Sequence, residues 1–444
     1  MRRQGAAAAA ATARGKMDPR RQCTCEKSSA DTGDVSAGDR ITTLPLELRA
    51  RIASLLPHWQ EVVRLSVLSR AWRHIHHHTP AVKIDLCNFY IGEAPPMFGI
   101  VEPSILSVRV ALGRRAQDAS ASRVDTLMLT YHVDDDRRLR RHADRIIALT
   151  DARSIRIRAP YREDPELQAW TVDLPPAAHH LEVVGSDSEL EDVTPNLLAP
   201  AIAGSSAAAL RKLNLESVLI REWPAHLPSL RYLSLAGVTI EAPFAPGAWC
   251  PLLEKLNISC AKVEHVRVDI RLPFLRFMNL DDLDVSPDGD SERPPFGEIT
   301  IDAPELLRLA VNCDWPEFTA DYKSFTLRAP RLRRLFWRNQ FAEHVVINVG
   351  RAGSVKKGAI ELRTIHRRDL KDYQEQMMRM LEGLLPDLPQ ENIADVSKPF
   401  ITLEECNDSD DDDEDDKYEK LTCDIKALIR FKRKNIKALM SRGI

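Results

Sequence analysis

The residues best suited to chemistry form a histidine run, His74 and His76–His78, whose imidazoles could bind a metal ion or carry a proton. Side chains that follow one another directly point in different directions. No carboxylate or cysteine follows the run at an interval usual for a metal site. The run is therefore predicted to be the solvated end of a helix.

Three other short stretches could carry chemistry, and each lacks the required spacing. Cys23 and Cys25 lie in the leader, and the eight cysteines form no CxxC pair. The segment "GSVKKG" (353–358) lacks P-loop spacing and the Ser or Thr after the lysine. Ser409 precedes acids and resembles a casein-kinase-II acceptor, the alternative being an unmodified solvated run. We predict no catalytic residue, no cofactor and no metal site.

Composition limits the class of protein. The 444 residues leave room for two or three domains, and the 44% hydrophobic content is ordinary for a soluble globular chain. The net charge of −3 implies neither nucleic acid nor membrane. Scattered cysteines favour a reducing compartment, cytoplasm or nucleus. No window has the roughly 18 apolar residues of a membrane span. An organelle transit peptide is a minor alternative to a disordered leader over 1–38.

The elements that would position functional groups begin with an unusually apolar stretch, residues 41–75, in which 18 of 35 residues are apolar. Periodicity predicts one helix from about Pro45 to Pro57, a second before Ser69, and a last turn capped by Ser69 that carries Trp72. A unit below about 40 residues rarely buries this much apolar surface, so a partner protein is expected to cover it. The alternative is burial within the same chain.

This stretch resembles an F-box, the module with which ubiquitin-ligase substrate receptors bind a Skp-family adaptor. The resemblance rests on "DRI" (39–41), "LP" (44–45), "EL" (47–48), "LLP" (55–57), "SVLS" (66–69) and "WR" (72–73), with Ile52 and Val63. Leu46, Arg49 and Ala71 depart from the usual pattern. The resemblance implies these adaptor-binding residues: Ile41, Leu44, Pro45, Leu48, Ile52, Leu55, Leu56, Pro57, Val63, Val67, Leu68 and Trp72.

Further along the chain, the spacing apolar-x-x-apolar-x-apolar occurs nine times between Val124 and Trp337, with successive starts 20 to 32 residues apart. This is close to the 20 to 29 residues of leucine-rich repeats, and it predicts nine strands lining one sheet of a curved solenoid. "PSLRYLSLAGVTI" and "PLLEKLNISCAKV" also resemble the plant F-box/leucine-rich-repeat family. The alternative is an unrelated α/β domain with leucine-rich strands.

Beyond the repeats, residues 337–362 predict two more strands, and 367–389 predict a helix with Leu370, Met377, Met378, Leu381 and Leu384 near one face. The run "NDSDDDDEDD" is predicted to be a linker because like charges repel and nothing can be buried. After it, "DIKALIRFKRKNIKALM" predicts a basic amphipathic helix. The roles left open for that helix are a solvated helix, docking on the solenoid, pairing with the acids, and contact with nucleic acid or a membrane surface.

The predicted fold class is α/β, a short three-helix F-box followed by a leucine-rich-repeat solenoid with disordered termini. The predicted divisions are a leader (1–38), the F-box (39–80), a linker and solenoid entry (81–120), the solenoid (121–365), a helical cap (366–404), an acidic linker (405–420) and a basic helix (421–444).

The family resemblance, which covers about residues 39–404, implies a non-enzymatic substrate adaptor of a cullin-based SCF ubiquitin ligase. It would bind a Skp-family adaptor, a cullin and RING subunit through it, and an unknown target protein. No membrane partner is expected. The alternative is a nucleic-acid-associated or other interaction scaffold that uses the repeats and the basic tail.

The target is expected on the strand face opposite the inward leucines, where alternate residues point together. Across the nine strands this face holds seven bases and three acids, with Tyr232, Phe277 and Phe336. An acidic or phosphorylated segment with an apolar anchor is predicted to bind there. The alternative is ordinary solvated surface. The candidate residues are Arg156, Arg158, Lys212, Tyr232, Lys255, Phe277, Arg308, Arg334, Phe336 and Arg338.

Overall fold

The computed structural model describes residues 41–87, 102–133, 137–160, 169–185, 197–203, 207–223, 226–286, 297–314, 319, 321–350, 355–364, 368–386, 390–407 and 417–431. The predicted leader with Cys23 and Cys25, the acidic residues 408–416 with Ser409, and the tail 432–444 lie outside them. The chain divides into Met1–Thr43 and Leu44–Ile444. None of the helices described in either unit is both long and apolar enough to span a membrane.

Three short helices open the second unit: α1 (Leu46–Ala53), α2 (Trp59–Leu68) and α3 (Ile75–His78). Pro45 stands at the N-cap of α1, where its missing N–H has no helical role. One expected boundary is wrong: α1 ends at Ala53, four residues before Pro57. Ser69 ends α2 with the extended backbone of an N-cap, and its carbonyl accepts from the Trp72 N–H at 3.2 Å, so the predicted turn that carries Trp72 does follow it. The Ser69 hydroxyl forms no hydrogen bond within the described residues, so the cap is made by the backbone.

The remaining elements follow in the order β1 (Ala81–Asp85), α4 (Glu102–Gln117), β2 (Thr126–Thr130), α5 (Arg137–Thr150), β3 (Ser154–Arg158), β4 (Thr171–Asp173), β5 (His180–Val184), β6 (Ala201–Ala203), β7 (Lys212–Glu216), β8 (Leu219–Ile220), β9 (Tyr232–Ala236), β10 (Thr239–Ile240), β11 (Lys255–Val263), β12 (Arg267–Arg271), β13 (Phe277–Val285), β14 (Gly297–Asp302), β15 (Arg308–Asn312), β16 (Tyr322–Arg328), β17 (Arg334–Arg338), β18 (Ala342–Asn348), β19 (Lys357–Arg363), α6 (Leu370–Leu384), α7 (Gln390–Ser397), β20 (Ile401–Asn407) and β21 (Lys417–Asp424).

A 15-stranded, mostly parallel sheet dominates this mixed α/β unit. Its main path is β1-β2-β3-β5-β7-β9-β11-β13-β15-β17-β19-β21-β20, in which β21 pairs antiparallel with both β19 and β20. The nine strands predicted from the apolar spacing all lie on this path, in sequence order. Their inward side chains form continuous ladders, such as Leu213, Leu233, Leu256 and Met278, and are buried.

The connections between successive strands form a second layer that changes along the chain. Near the start it contains α4 and α5, which pack together. Further on it is a parallel sheet of β12, β14, β16 and β18, which the sequence analysis predicted only at β18. Two contacts join the layers: Phe325 of β16 packs edge-on against Trp337 of β17 at 4.8 Å, and the Tyr322 hydroxyl donates to the Leu283 carbonyl at 2.8 Å. The apolar core lies between them.

The last elements correct the predicted C-terminal divisions. α6 confirms the predicted helix, and it packs on β18 through buried Tyr373, Met377 and Leu381. The acidic linker predicted for 405–420 is too long, because 405–407 belong to β20 and 417–420 to β21. The basic helix predicted from 421 begins at 425 and is described to 431, because Leu421–Asp424 complete β21. β1 and α4 lie within the predicted linker and entry segment, 81–120.

Candidate functional site

Large aliphatic side chains stand exposed on the first two helices. α1 turns its small residues Ala50 and Ala53 inward, so that it packs closely on α3. Its opposite face is therefore left outside. The exposed side chains that we call the helical apolar surface are Leu48, Ile52, Leu55, Val67 and Leu68, with exposed fractions from 43% at Ile52 to 84% at Val67.

Most of the predicted adaptor-binding residues are accessible. Leu44, Leu56 and Val63 are partly buried, and Trp72 is buried. The other eight are exposed: Ile41, Pro45, Leu48, Ile52, Leu55, Pro57, Val67 and Leu68. Within the described residues the chain buries part of this apolar excess, such as Trp59, Val62 and Ile75, and leaves these eight side chains exposed.

Arg49, one of the departures from the F-box pattern, holds this segment together. Its Nε donates to the Leu44 carbonyl at 3.0 Å, and Nη1 donates to the Ala71 carbonyl. The guanidinium also lies 6.0 Å from the centre of the Trp72 ring, within cation–π range. The charged group thus ties the start of α1 to the turn before α3.

A buried arginine joins the helical segment to α4. Arg115 is 4% exposed, and its Nη1 donates to the His76 carbonyl (2.7 Å) and to Thr79 Oγ1 (3.1 Å). Its Nη2 donates to the carbonyls of Thr79 (2.7 Å) and Ser122 (2.9 Å). Burial lowers the pKa of the guanidinium to about 10, so it stays charged at neutral pH. Carbonyl dipoles surround a charge that would otherwise be costly to bury.

We call the contact between the end of α3 and α4, centred on Arg115, the junction. The histidine run belongs to it, so the prediction of a solvated helix end is wrong for three of the four histidines. His77 Nδ1 lies 2.6 Å from Asp118 Oδ2, and His78 Nδ1 lies 3.3 Å from Ser122 Oγ. Burial, and then the neighbouring His77, lowers the pKa of His76 to about 4. Hydrogen bonds from Ser120 and His77 hold the pKa of Asp118 well below its usual value. Only His74 of the run is exposed.

Positively charged and aromatic side chains form a line across the large sheet, at or near the first residue of seven adjacent strands. We call this line the basic row. Strand pairing places its members side by side, one per strand: Lys212, Tyr232, Lys255, Phe277, Arg308, Arg334 and Lys357. All but the partly buried Lys212 and Tyr232 are exposed.

Cations of the basic row lean over neighbouring rings. Lys212 Nζ lies 4.9 Å from the centre of the Tyr232 ring, and Lys255 Nζ lies 5.4 Å from that of Phe277. Arg308 Cζ lies 5.7 Å from the ring of Phe336, which is two residues further along β17. Within the described residues, none of the five cations forms an ion pair with a carboxylate. The row therefore presents uncompensated positive charge.

The other predicted target-binding residues lie outside this row. Arg156 pairs with Glu182 at 2.8 Å, and Arg338 lies 3.1 Å from Asp314. Arg158 is exposed at the far end of β3. The predicted excess of positive charge is thus concentrated in one line instead of spread over the face.

Lys357 was missed because Gly358 interrupts the apolar spacing in β19. A Cβ at Gly358 would lie 2.0 Å from the Leu335 carbonyl oxygen, so only glycine fits there. Ile360 and Leu362, which are buried two and four residues later, are the signal that marks this strand.

Four residues further along the strands, the same face becomes acidic. Carboxylate oxygens of Asp281, Asp282 and Asp314 lie within 4.8 Å of one another, the one cluster of metal-ligand type in the described part of the chain. Burial, followed by the charges of Asp282 and Asp314, raises the pKa of Asp281. Oxygen ligands of this kind suit Ca²⁺ or Mg²⁺. Arg338 already neutralises part of the charge.

Other groups offer little chemistry. Burial raises the pKa of the thiols of Cys87 and Cys423 to about 12, so both are protonated and weakly nucleophilic at neutral pH. A cleft of about 190 Å³ lies beside Arg115, bordered by Leu112, Arg123 and Asp151. It is smaller than the roughly 300 Å³ at which small-molecule sites begin.

Comparison with known proteins adds no family assignment, because no protein-family model and no curated protein matches this chain. The described features that bear on function are the two exposed surfaces, the helical apolar surface and the basic row.

Proposed function

We propose that this chain is the substrate-recognition adaptor of a cullin-based SCF-type ubiquitin ligase. The observation that carries the proposal is the helical apolar surface, five exposed aliphatic side chains on a short helical segment that is joined to a large sheet. Removing one leucine side chain from water is worth about 1.5 to 3 kcal/mol, so a protein partner would gain much by covering them. The F-box resemblance of the same residues identifies that partner as a Skp-family adaptor.

The large sheet supports a leucine-rich-repeat solenoid as the second half of the proposal. Successive strands repeat in register, and buried leucines recur at the same two positions of each strand. The residue that follows position five of the strand has positive φ in several of them: Ser217, Gly237, Cys260, Asp282 and Asn339. A residue with left-handed backbone thus recurs at one place in these repeats, as expected for a solenoid built from similar units.

Rigid joining of the two halves is what an adaptor needs. α2 contacts β1, and Arg115 bonds the segment after α3 to α4. A target held on the sheet would then be kept at a fixed position relative to the bound adaptor. Ubiquitin transfer to a target lysine would be carried out by the RING subunit and a conjugating enzyme, while this chain supplies selection and proximity in the cytoplasm or nucleus.

Co-expression with a Skp-type adaptor tests the proposal. The pair Leu44→Ala with Pro45→Ala should weaken the purified complex by about tenfold or more, measured by titration calorimetry. Leu48→Asp with Val67→Asp should abolish binding, because the adaptor would have to bury two carboxylates. Both side chains are exposed in the free chain, so the fold should survive the substitutions. Val346→Asp is the matched control, since Val346 is 57% exposed on β18, in the four-stranded sheet. Adaptor binding that survives both double substitutions would refute the proposal.

A second experiment looks for the target. Proteins captured by the intact chain in cells with the proteasome inhibited are compared with those captured by a chain lacking residues 39–80. A target of the proposed ligase should bind both chains through the sheet, and its ubiquitination should require residues 39–80.

A further inference from the structure

We infer that the basic row binds an acidic segment in the polyproline II conformation that has a carboxylate at every third residue. The inference rests on the proposed function, because it names the class of target segment that the sheet would hold. It goes beyond an excess of positive charge, since it depends on the spacing of the cations.

The cations recur on alternate strands. Lys212, Lys255, Arg308 and Lys357 lie on β7, β11, β15 and β19, with one strand between each pair. Neighbouring strands are about 4.8 Å apart, so successive cations of this set are about 9.6 Å apart at the backbone. Tyr232 and Phe277 occupy the first two intervening positions and Arg334 the third.

Of the regular peptide conformations, polyproline II places like side chains at the interval closest to this one. A polyproline II helix rises about 3.1 Å per residue with three residues per turn, so every third side chain returns to one face after about 9.3 Å. Same-face residues of an extended strand recur at about 6.6 Å. A helix of the α type needs seven residues and about 10.5 Å. Over four cations the polyproline II mismatch is about 1 Å in total, which flexible lysine and arginine side chains absorb.

The rings between the cations favour a peptide over single-stranded nucleic acid. Lysine ammonium groups already cover Tyr232 and Phe277, and the Arg308 guanidinium covers Phe336. A nucleobase needs a free ring face on which to stack. Proline-rich segments, by contrast, dock among aromatic side chains, of which Phe277 is 41% exposed.

Charge across the sheet restricts the ligand to a narrow chain along the row. Two residues after the basic row, the same outer face of the sheet carries amide side chains. There Asn279 donates to Asn257 at 3.0 Å, and Asn257 donates to Ser234 at 3.2 Å. Two residues further stand Glu216, Asp281 and Glu361. An anion broader than about 13 Å would meet these acids, whereas one peptide chain would not.

Fluorescence anisotropy with labelled peptides tests the inference on the purified full chain. The probe is (Glu-Pro-Pro)₄, and the control is its isomer with four glutamates followed by eight prolines, which has the same charge and composition. We expect the spaced peptide to bind about tenfold more tightly than the grouped one. Equal affinity of the two peptides would overturn the inference, and so would tighter binding of a twelve-nucleotide oligouridylate.

Matched variants locate the site. Lys212→Met, Lys255→Met and Arg308→Met together keep the apolar stems and should weaken (Glu-Pro-Pro)₄ binding about tenfold or more. Arg267→Met, Arg271→Met and Arg328→Met together remove three exposed, ion-paired cations from the other sheet and should leave the affinity unchanged. Equal losses in both triple variants would overturn the assignment to the basic row.

The same protein preparation separates failure of this inference from failure of the proposed function. Adaptor binding is measured on each triple variant by co-purification, and thermal unfolding confirms that each is folded. A chain that binds the adaptor and ignores the spaced peptide keeps its proposed ligase role and loses only this assignment. A chain that binds the peptide but not the adaptor keeps the assignment of the basic row and loses the proposed ligase role.

Discussion

The helical apolar surface and the basic row differ in what lies behind them. Opposite their exposed aliphatic side chains, the three short helices bury Ala50, Ala53, Trp59 and Ile75, so they have apolar side chains on both sides. Behind the basic row lies a ladder of buried side chains, mostly leucines such as Leu233 and Leu335, that extends from β7 to β17. In the sheet, strict alternation separates core from surface, and the outer face is free to carry charge.

This difference indicates two ways of building an exposed surface. The helices leave apolar area uncovered, and they are attached both by buried side chains such as Trp59 and Ile75, which belong to the common core, and by the polar contacts of Arg115. The sheet buries the inward side chains of its strands, so the residues on its outer face can be exchanged at little cost in folding free energy. Substitution of a buried side chain should therefore destabilise either region. Substitution of exposed side chains should instead change binding, of the adaptor on the helices and of the acidic peptide on the basic row.

The largest effect is expected from Leu256→Asp. Leu256 is 2% exposed between Leu233 and Met278, so a carboxylate there would be buried without a partner. The free energy of unfolding should fall by about 4 kcal/mol or more, enough to unfold the sheet. Circular dichroism during thermal unfolding measures the loss.

The control is Lys255→Asp, one residue away on the outer face, which should leave the melting temperature nearly unchanged. Adaptor binding by the Leu256→Asp chain tests whether the helices fold alone. Loss of adaptor binding together with unfolding of the sheet would show one cooperative domain. A wild-type melting curve would contradict the claim that the sheet depends on its buried inward side chains.

A smaller loss is expected from Arg115→Met at the junction. The substitution leaves three carbonyl oxygens without the guanidinium donors that now reach them. An unsatisfied buried group costs about 1 to 3 kcal/mol, so a total near 3 kcal/mol is expected after partial relaxation. Urea unfolding should show this loss in the free energy of unfolding. Arg114→Met, at the exposed neighbouring position, should leave the free energy of unfolding unchanged. Equal effects of the two would contradict the junction role.

The sequence predicted those parts of the fold that depend on local pattern. Leucines two residues apart, such as Leu213 and Leu215, mark each strand because alternate side chains share a face, and all nine strands were placed correctly. The apolar stripe through Met377 and Leu381 marked α6 in the same way. Both patterns need only a short window of sequence.

Parts that depend on long-range pairing were not predictable in this way. Arg115 contacts residues 36 and 39 positions earlier, and nothing near either segment marks the other. β20 and β21 flank an acidic run whose composition suggests a linker, although pairing with β19 makes β21 a strand and β20 pairs with β21 in turn. The basic row also needed the register of seven strands, including β19, whose Gly358 hides the repeat.

Acidification should weaken the junction before it affects the sheet core. The pKa of His76 is about 4 in the folded chain, against 6.5 for an unperturbed histidine, so below pH 6.5 the unfolded chain binds a proton that the folded chain does not. Stability is therefore full above pH 6.5 and declines as the pH falls toward 4. For a partly exposed imidazole we expect about 1 kcal/mol.

Urea unfolding at pH 7 and pH 5 measures this slope, which His76→Gln should reduce. His74→Gln removes an exposed member of the same run and should keep most of the slope. Below pH 4 the depressed pKa of Asp118 adds a further loss, since that carboxylate must then be protonated on unfolding. An unchanged slope in His76→Gln would exclude His76 as the origin.

The smallest change in stability is expected on the helical apolar surface itself. Leu55→Gln, Val67→Gln and Leu68→Gln together replace side chains that are 73% to 84% exposed, so little buried area is lost. The free energy of unfolding should shift by no more than about 0.5 kcal/mol. Self-association of the free chain, followed by light scattering, should fall, because exposed apolar patches drive it.

Ala53→Gln is the matched variant at a buried site and should destabilise the chain. Ala53 is fully buried against α3, so the larger polar side chain must displace that helix. A triple variant as unstable as Ala53→Gln would show that these aliphatic side chains are part of the core, and that no partner protein is needed to cover them.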